Sequence, residues 1–335
     1  MGDVLSLADI TELAQSFERA KVLLAAIELD LFTALADGPL DRDALRETIG
    51  IDERGARDFF DALVALGLLV RDRDGRYANT GTTNTYLDRD KPGYIGALME
   101  DLNSRYYDVW GGLTAALRTG QPQGGARATG DFPTLYADKT ALRRFAASQA
   151  ARSLPVAKSL AAKFPWSQYR SVIDVGTSQG CVPVEVALAH PHITGGGFDL
   201  PQLHELFDAY VANHGLSERL RFHPGDFLQH PLPSADVLIL GRVMHNWDRK
   251  TQMMLLKKAY DAISTGGALV VYGRLIDDDR SSVDGLLSSL NMLLMSRGGS
   301  NFTGAECRSW MSTTGFRKTN VEPLTVDQTM IVALK

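Results

Sequence analysis

From Ser171 onward the chain alternates short β-branched runs with helical stretches. The pattern predicts strands at 171–175, 197–200, 219–224, 237–240 and 268–276, with helices at 182–189 and 250–263. A strand that runs into a helix cannot pair with the next strand as a hairpin. The chain must cross over and return parallel. This order restricts the second half to a mostly parallel, doubly wound α/β sheet. The runs 319–323 and 329–334 have no clear helix between them, which predicts an antiparallel edge.

The strongest local signal is Asp174-Val175-Gly176-Thr177-Ser178-Gln179-Gly180, placed between the first of these strands and its helix. Glycine permits the tight turn and a close approach of a ligand to the backbone. The helix that follows offers free amides, and Pro183 falls in its first turn, where a missing N–H costs nothing. Asp199 ends the next strand, where a carboxylate meets a ribose diol in sheets of this kind. Loop and acid together serve both nicotinamide and S-adenosylmethionine (SAM) binders; an ordinary strand–helix turn is the plainer alternative. Ser178 occupies the place of the second glycine in G-x-G-x-x-G. Asp174 favours SAM, because a carboxylate there attracts an ammonium or sulfonium group.

The first half reads as helical. Leu13, Phe17, Ala20, Leu24 and Ile27 recur at helical spacing. A short helix closed by Gly50 is followed by one capped by Asp52, which carries Phe59, Phe60 and Leu63 and ends at Gly67. Two short extended runs then flank Asp74-Gly75, a hairpin signal. Helix, helix and hairpin make a winged-helix layout. Helical patterns resume over 94–117, residues 120–130 form a Gly- and Pro-rich loop, and 140–164 is an amphipathic helix. The expected domains are 1–105, a connector at 106–165, and 166–335.

A winged helix invites a DNA-binding reading, but acids outnumber bases from Asp41 to Arg76 and the whole chain carries a net charge of −5. A recognition helix needs surplus positive charge to meet phosphates, so no nucleic-acid partner is expected. Cys181 and Cys307 lie far apart, and His190, His192, His204, His214, His223 and His230 show no ligand spacing, so neither a disulfide framework nor a metal site is expected. No apolar run is long enough for a bilayer, and residues 1–7 do not resemble a signal peptide. A cytoplasmic location with no membrane partner is the expectation.

Further segments follow in order: Gly225-Asp226-Phe227; Gly241-Arg242-Val243-Met244-His245-Asn246-Trp247-Asp248; Gly266-Gly267; Leu290-Asn291-Met292-Leu293; and Gly298-Gly299 with Thr303 and Glu306. The set resembles the small-molecule O-methyltransferases of the plant caffeate and acetylserotonin type, including bacterial antibiotic and pigment members. The resemblance covers nearly the whole chain. It implies a Rossmann-like SAM-binding sheet preceded by an α-helical, winged-helix-like dimerisation domain, and hence a homodimer. Within it, Asp174, Gly176 and Thr177 border the methionine part of SAM. Asp199 and Leu200 meet the ribose, Gly225, Asp226 and Phe227 the adenine, and Arg242 and Trp247 also contact the cofactor. His245 is the implied general base. Asn291, Met292, Met295 and Asn301 line the implied pocket for a small-molecule acceptor, with 98–107 and 143–148 as further lining stretches.

Methyl transfer is an in-line displacement, so alignment is the main task and is worth roughly 7–11 kcal/mol. A phenolic acceptor, with a pKa of about 10, must also lose its proton. A neutral histidine can take it, for roughly 10²–10⁴-fold. This chain departs from the plant pattern at one point. The two glutamates that orient the histidine there align with Gly273 and Asn301. Methylation of nitrogen, carbon or sulfur therefore stands beside O-methylation, with a non-catalytic SAM-binding or DNA-binding regulator and a nicotinamide oxidoreductase as more distant alternatives.

Overall fold

The computed structural model describes residues 5–124, Phe132 and 136–335. The first four residues of the 1–7 stretch, and the expected 120–130 loop from 125 on, lie outside these. The chain divides into two compact units, Met1–Tyr107 and Asp108–Lys335.

The first unit opens with helix Leu7–Glu28, whose capping box joins Ser6 and Asp9. Helices Arg42–Ile49 and Glu53–Ala65 follow, capped by Asp41 and Asp52, and then an antiparallel hairpin of β1 (Leu69–Arg71) and β2 (Tyr77–Asn79). The Asp72 carboxylate accepts from the amides of Asp74 and Arg76 and tightens the hairpin turn. Leu31, Phe32, Leu45, Phe60 and Leu63 form the core, each fully buried and each contributing about 1.5–3 kcal/mol. Leu24 and Ile27 of the first helix join that core, but Leu13 and Phe17, on the same helical spacing, stand 69% and 57% exposed. The stretch expected to be helical over 94–117 contains a π-helix at Leu102–Tyr107.

The second unit holds a seven-stranded sheet: β3 (Ser171–Val175), β4 (Thr194–Asp199), β5 (Leu220–Pro224), β6 (Ala235–Gly241), β7 (Ile263–Gly273), β8 (Lys318–Pro323) and β9 (Thr329–Leu334), in the order β5-β4-β3-β6-β7-β9-β8. The pairs from β5 to β7 are parallel, and β9 runs antiparallel to both β7 and β8, as the missing helix predicts. Alternate residues feed opposite faces. Ile173, Val175, Leu238 and Leu240 pack into one apolar layer, and Val172, Val237 and Ile239 into the other.

Several strand boundaries differ from the sequence reading; β6 and β7 begin early, at Ala235 and Ile263, and two further shifts have a clear cause. β4 begins three residues early, because Gly195 and Gly196 take φ of +138° and +153° inside the sheet. β7 ends at Gly273 rather than at 276. Beyond it Ile276 leaves β9 and its amide turns to the carbonyl of Phe302. Among the described residues, no helix is long and apolar enough to cross a membrane.

Candidate active site

Strand order reverses between β3 and β6, with β4 and β5 on one side and β7 on the other. Open α/β sheets bind ligands at such a switch point, outside the carboxyl ends of the strands. All the residues assigned above to the cofactor sit at the carboxyl ends of β3 to β6.

After β3, Gly176 turns with φ +77°. A β-carbon there would stand 2.7 Å from Cγ2 of Val243, so the loop closes against the segment that follows β6. Ser178 adopts φ +55°, the left-handed conformation glycine usually supplies, and its amide donates to Oδ2 of Asp199 at 2.9 Å. The Leu200 amide donates to Oδ1 of Asp199 at 2.8 Å, which leaves each carboxylate oxygen a free lone pair. Burial raises the Asp199 carboxyl to about 6, against the pull of those two amides. Asp174 is buried beneath the loop. Burial raises its carboxyl to about 7, the neighbouring Thr177 hydroxyl opposing the shift and Asp199 adding to it.

After β5, Gly225 lies against Phe198, where a β-carbon would stand 2.6 Å from the ring. Asp226 accepts from the Leu228 amide and the Gln229 side chain, each at 2.8 Å. Phe227 meets Trp247 edge-on, with centroids 5.7 Å apart, and Phe132 lies 6.4 Å from the same indole.

After β6, Arg242 turns at φ +57° and its amide donates to the Tyr272 carbonyl at 2.8 Å. A short 3₁₀ turn, Met244–Asn246, then presents His245. Nδ2 of Asn246 donates back to the carbonyls of Arg242 and Val243. His245 is half-buried, and among the described residues no group hydrogen-bonds to its ring. Burial, and then the Arg242 guanidinium, push its pKa down to about 3.

Residues 110–317 match the model of the O-methyltransferase domain, and residues 11–89 that of the O-methyltransferase dimerisation domain. The chain belongs to the O-methyltransferase family. It is 40% identical over 328 residues to the tetracenomycin polyketide synthesis 8-O-methyl transferase of Streptomyces glaucescens, covering 98% of this chain and 96% of that protein. It is 37% identical over 330 residues to the N,N-dimethyltransferase OxyT of Streptomyces rimosus, covering 97% and 96%. Human N-acetylserotonin methyltransferase in complex with SAM is similar in structure, with a TM-score of 0.88 and 28% identity over 100% of this chain and 99% of that one.

This O-methyltransferase is a SAM-dependent enzyme, and its residues fit that cofactor. Among the described residues, Ser178 Oγ after β3 and Trp247 Nε1 after β6 are buried without a hydrogen-bond partner. Orphaned polar atoms are costly, and two of them at the switch point indicate a ligand that satisfies them. Among the described residues, no group of three or more His, Cys, Asp or Glu side chains could hold a metal ion.

Of the residues expected to line an acceptor pocket, Asn291 and Met292, both half-buried, and Met295, buried, lie on helix Val283–Met295, which packs against the His245 turn. Asn301 is buried beside that helix. Its backbone amide donates to Ser289 Oγ and its Nδ2 to the Gly285 carbonyl, and no hydrogen bond from it reaches His245. Gly273, by contrast, backs directly onto the His245 ring. The Gly298-Gly299 pair also has a geometric reason. A β-carbon on Gly299 would stand 2.5 Å from the carbonyl oxygen of His245.

Two residues that shape the O-methyltransferase site escaped the sequence reading. Gln252, 2% exposed, donates to the carbonyls of Met244 and Trp247 and so staples both ends of the His245 turn. Lys258 donates to the carbonyls of Phe227 and His230 and holds the loop after β5. The signal for Gln252 was its position. It falls on the apolar face of helix Arg249–Ala262, in line with Leu255, Leu256 and Ala259.

Proposed function

We propose that the enzyme methylates a hydroxyl of a small aromatic metabolite of polyketide type, with His245 as general base. When bound, SAM supplies a methyl group on a sulfonium sulfur. Asp199 accepts hydrogen bonds from the ribose hydroxyls through its free lone pairs, and Leu200 packs beside them. Asp174, Gly176 and Thr177 hold the methionine end. Gly225, Asp226 and Phe227 hold the adenine, with Trp247 across the pocket and Arg242 beside it. His245 takes the hydroxyl proton as attack proceeds.

The observation that carries this reading is the His245 ring, presented at the switch point with no hydrogen bond from any described residue. Its free ring nitrogen can take the acceptor's proton, while burial and Arg242 keep the ring in its neutral form at the cost of basicity. For the acceptor, Met292, Met295 and Trp110 offer polarizable and aromatic surface suited to a flat ring. The connector at 106–165 lines that pocket in this reading, supported by helix Leu113–Thr119 packing on Val283–Met295 and by Asn291 meeting Trp110. Asn301 borders the same pocket. The relative from S. glaucescens is named for polyketide O-methylation.

The test is a screen of phenols and aryl amines with SAM, read as gain of one methyl by mass spectrometry, with His245→Ala alongside. Methylated phenols, and a 10²–10⁴-fold fall in turnover with S-adenosylhomocysteine still bound, support the reading. Equal turnover in the variant removes His245 as the base.

An amine acceptor is the second reading. Gly273 places no carboxylate behind His245, and the S. rimosus relative is named for N,N-dimethylation. An amine that enters as its free base attacks before it has to lose a proton. Methyl gain confined to the amines in the same screen selects this reading.

The enzyme acts as a homodimer in this proposal. The dimerisation-domain match and the exposed Leu7, Ile10, Leu13 and Phe17 along one helix support it.

A further inference from the structure

Trp110 and Asn291 are distant in sequence and meet within the second unit. The indole Nε1–H donates to Oδ1 of Asn291 at 3.3 Å. An indole nitrogen can only donate, so the atom facing it must be the amide oxygen, which settles the orientation of the amide. The NH₂ of Asn291 is thereby turned away from Trp110. Among the described residues no group accepts from it, and it is not one of their sealed, orphaned polar atoms. It remains open to a ligand.

The surroundings hold this arrangement in place. Helix Val283–Met295, which carries Asn291, packs against Asp108–Trp110, Leu113–Thr119 and the His245 turn. The Gln123 amide donates to the Leu294 carbonyl at 3.0 Å, a second tie between the connector and the same helix. Asn291 thus lies on the element shared by Trp110 and the proposed base.

We infer that Trp110 is a positioning residue that fixes Asn291 as a hydrogen-bond donor toward the acceptor, so that the site selects aromatic acceptors carrying a carbonyl oxygen in addition to the hydroxyl that is methylated. The inference rests on the aromatic-hydroxyl reading above. An acceptor without that oxygen covers the amide NH₂ and strips its water without replacing the bond, and it binds more weakly for that reason. Loss of the indole donor frees the amide to rotate and present either end.

The test uses the full chain and two probes, 1-hydroxyanthraquinone and 1-hydroxyanthracene, which differ in the carbonyls. The readout is the ratio of kcat/KM for the first probe over the second, in wild type, Trp110→Phe and Asn291→Asp, with S-adenosylhomocysteine affinity as the check on folding. Trp110→Phe keeps a flat ring and removes the donor. Asn291→Asp keeps an oxygen for Trp110 and replaces the NH₂ with a second acceptor. The ratio is expected to fall ~tenfold in Trp110→Phe and further in Asn291→Asp, through KM for the quinone rather than kcat. A ratio unchanged in both variants overturns the inference and leaves the aromatic reading standing. A wild-type enzyme that methylates only amines, and neither probe, overturns the aromatic-hydroxyl reading and this inference with it.

Discussion

A β-carbon on Gly273 would stand 3.9 Å from Nδ1 of His245, and no other atom outside its chain neighbours comes within 4 Å of it. A β-carbon fits at that position in ordinary contact with the imidazole. In Gly273→Glu, with folding checked by circular dichroism, the His245 pKa is expected to rise, since a carboxylate favours imidazolium. In the wild type the pKa of about 3 keeps the ring neutral throughout the neutral range, so kcat/KM should show no acidic limb near 6.5 from this group. The variant should gain such a limb, displaced upward. The sign for stability follows from the same shift. The unfolded histidine binds its proton at a higher pH than the folded one, so this contribution is complete above about 6.5 and is lost as pH falls toward 3. A pH profile of each protein decides the matter; identical acidic limbs would separate Gly273 from the base.

Asp174 carries the opposite linkage. Its folded pKa of about 7 lies above the unfolded value, so its contribution to stability is complete below about 3.9 and is lost as pH rises through 7. At pH 8 the ligand-free enzyme holds a buried carboxylate, and cationic SAM offsets that charge. In Asp174→Asn the difference in Tm from wild type should move in the variant's favour as pH rises from 4 to 8, whatever its offset. The variant should also lose more affinity for SAM than for S-adenosylhomocysteine, which lacks the sulfonium charge. Parallel melting curves across that range, or equal losses for the two ligands, would place the Asp174 charge outside cofactor recognition.

The alternation of strands and helices, and the places of the β3 loop, Asp199 and the His245 segment at strand ends, were legible because each depends on local sequence. Backbone geometry set by distant contacts was not. The sequence reading starts this strand at Gly197, yet β4 begins at Thr194 and takes in Gly195 and Gly196. A β-carbon on Gly195 would stand 1.8 Å from the Val172 carbonyl oxygen, and one on Gly196 the same distance from that of Arg221. These glycines are there for the approach of β3 and β5, which local sequence does not reveal. Nor does it reveal that Trp110 meets Asn291, that Gln252 staples the His245 turn, or that Asn301 turns to helix Val283–Met295 while Gly273 faces the histidine. Gly195→Ala follows as a test of this geometry. Neither colliding atom can rotate aside, so the loss should exceed ~3 kcal/mol or prevent folding. A urea midpoint near that of wild type would show that β3 and β4 can separate without cost.

The first helix carries a surface that its own unit does not use. Leu24 and Ile27 are buried, while Leu13 and Phe17, on the same spacing, are exposed. One stripe therefore has two environments along a single helix. Single exposed leucines are ordinary, but four large apolar residues within Leu7–Phe17 form a patch of the kind that marks an interface. Fully burying a leucine or phenylalanine contributes about 1.5–3 kcal/mol, so replacing Leu13 and Phe17 by glutamate removes roughly 3–6 kcal/mol from each helix face that the partner would cover. It also places like charges where two copies of the helix would meet. Leu13→Glu/Phe17→Glu is expected to run as a monomer in size-exclusion chromatography with light scattering at concentrations where the wild type is a dimer. The helix should persist in far-UV circular dichroism, because Leu24 and Ile27 still anchor it. A dimer of undiminished mass would move the interface to another face of residues 11–89.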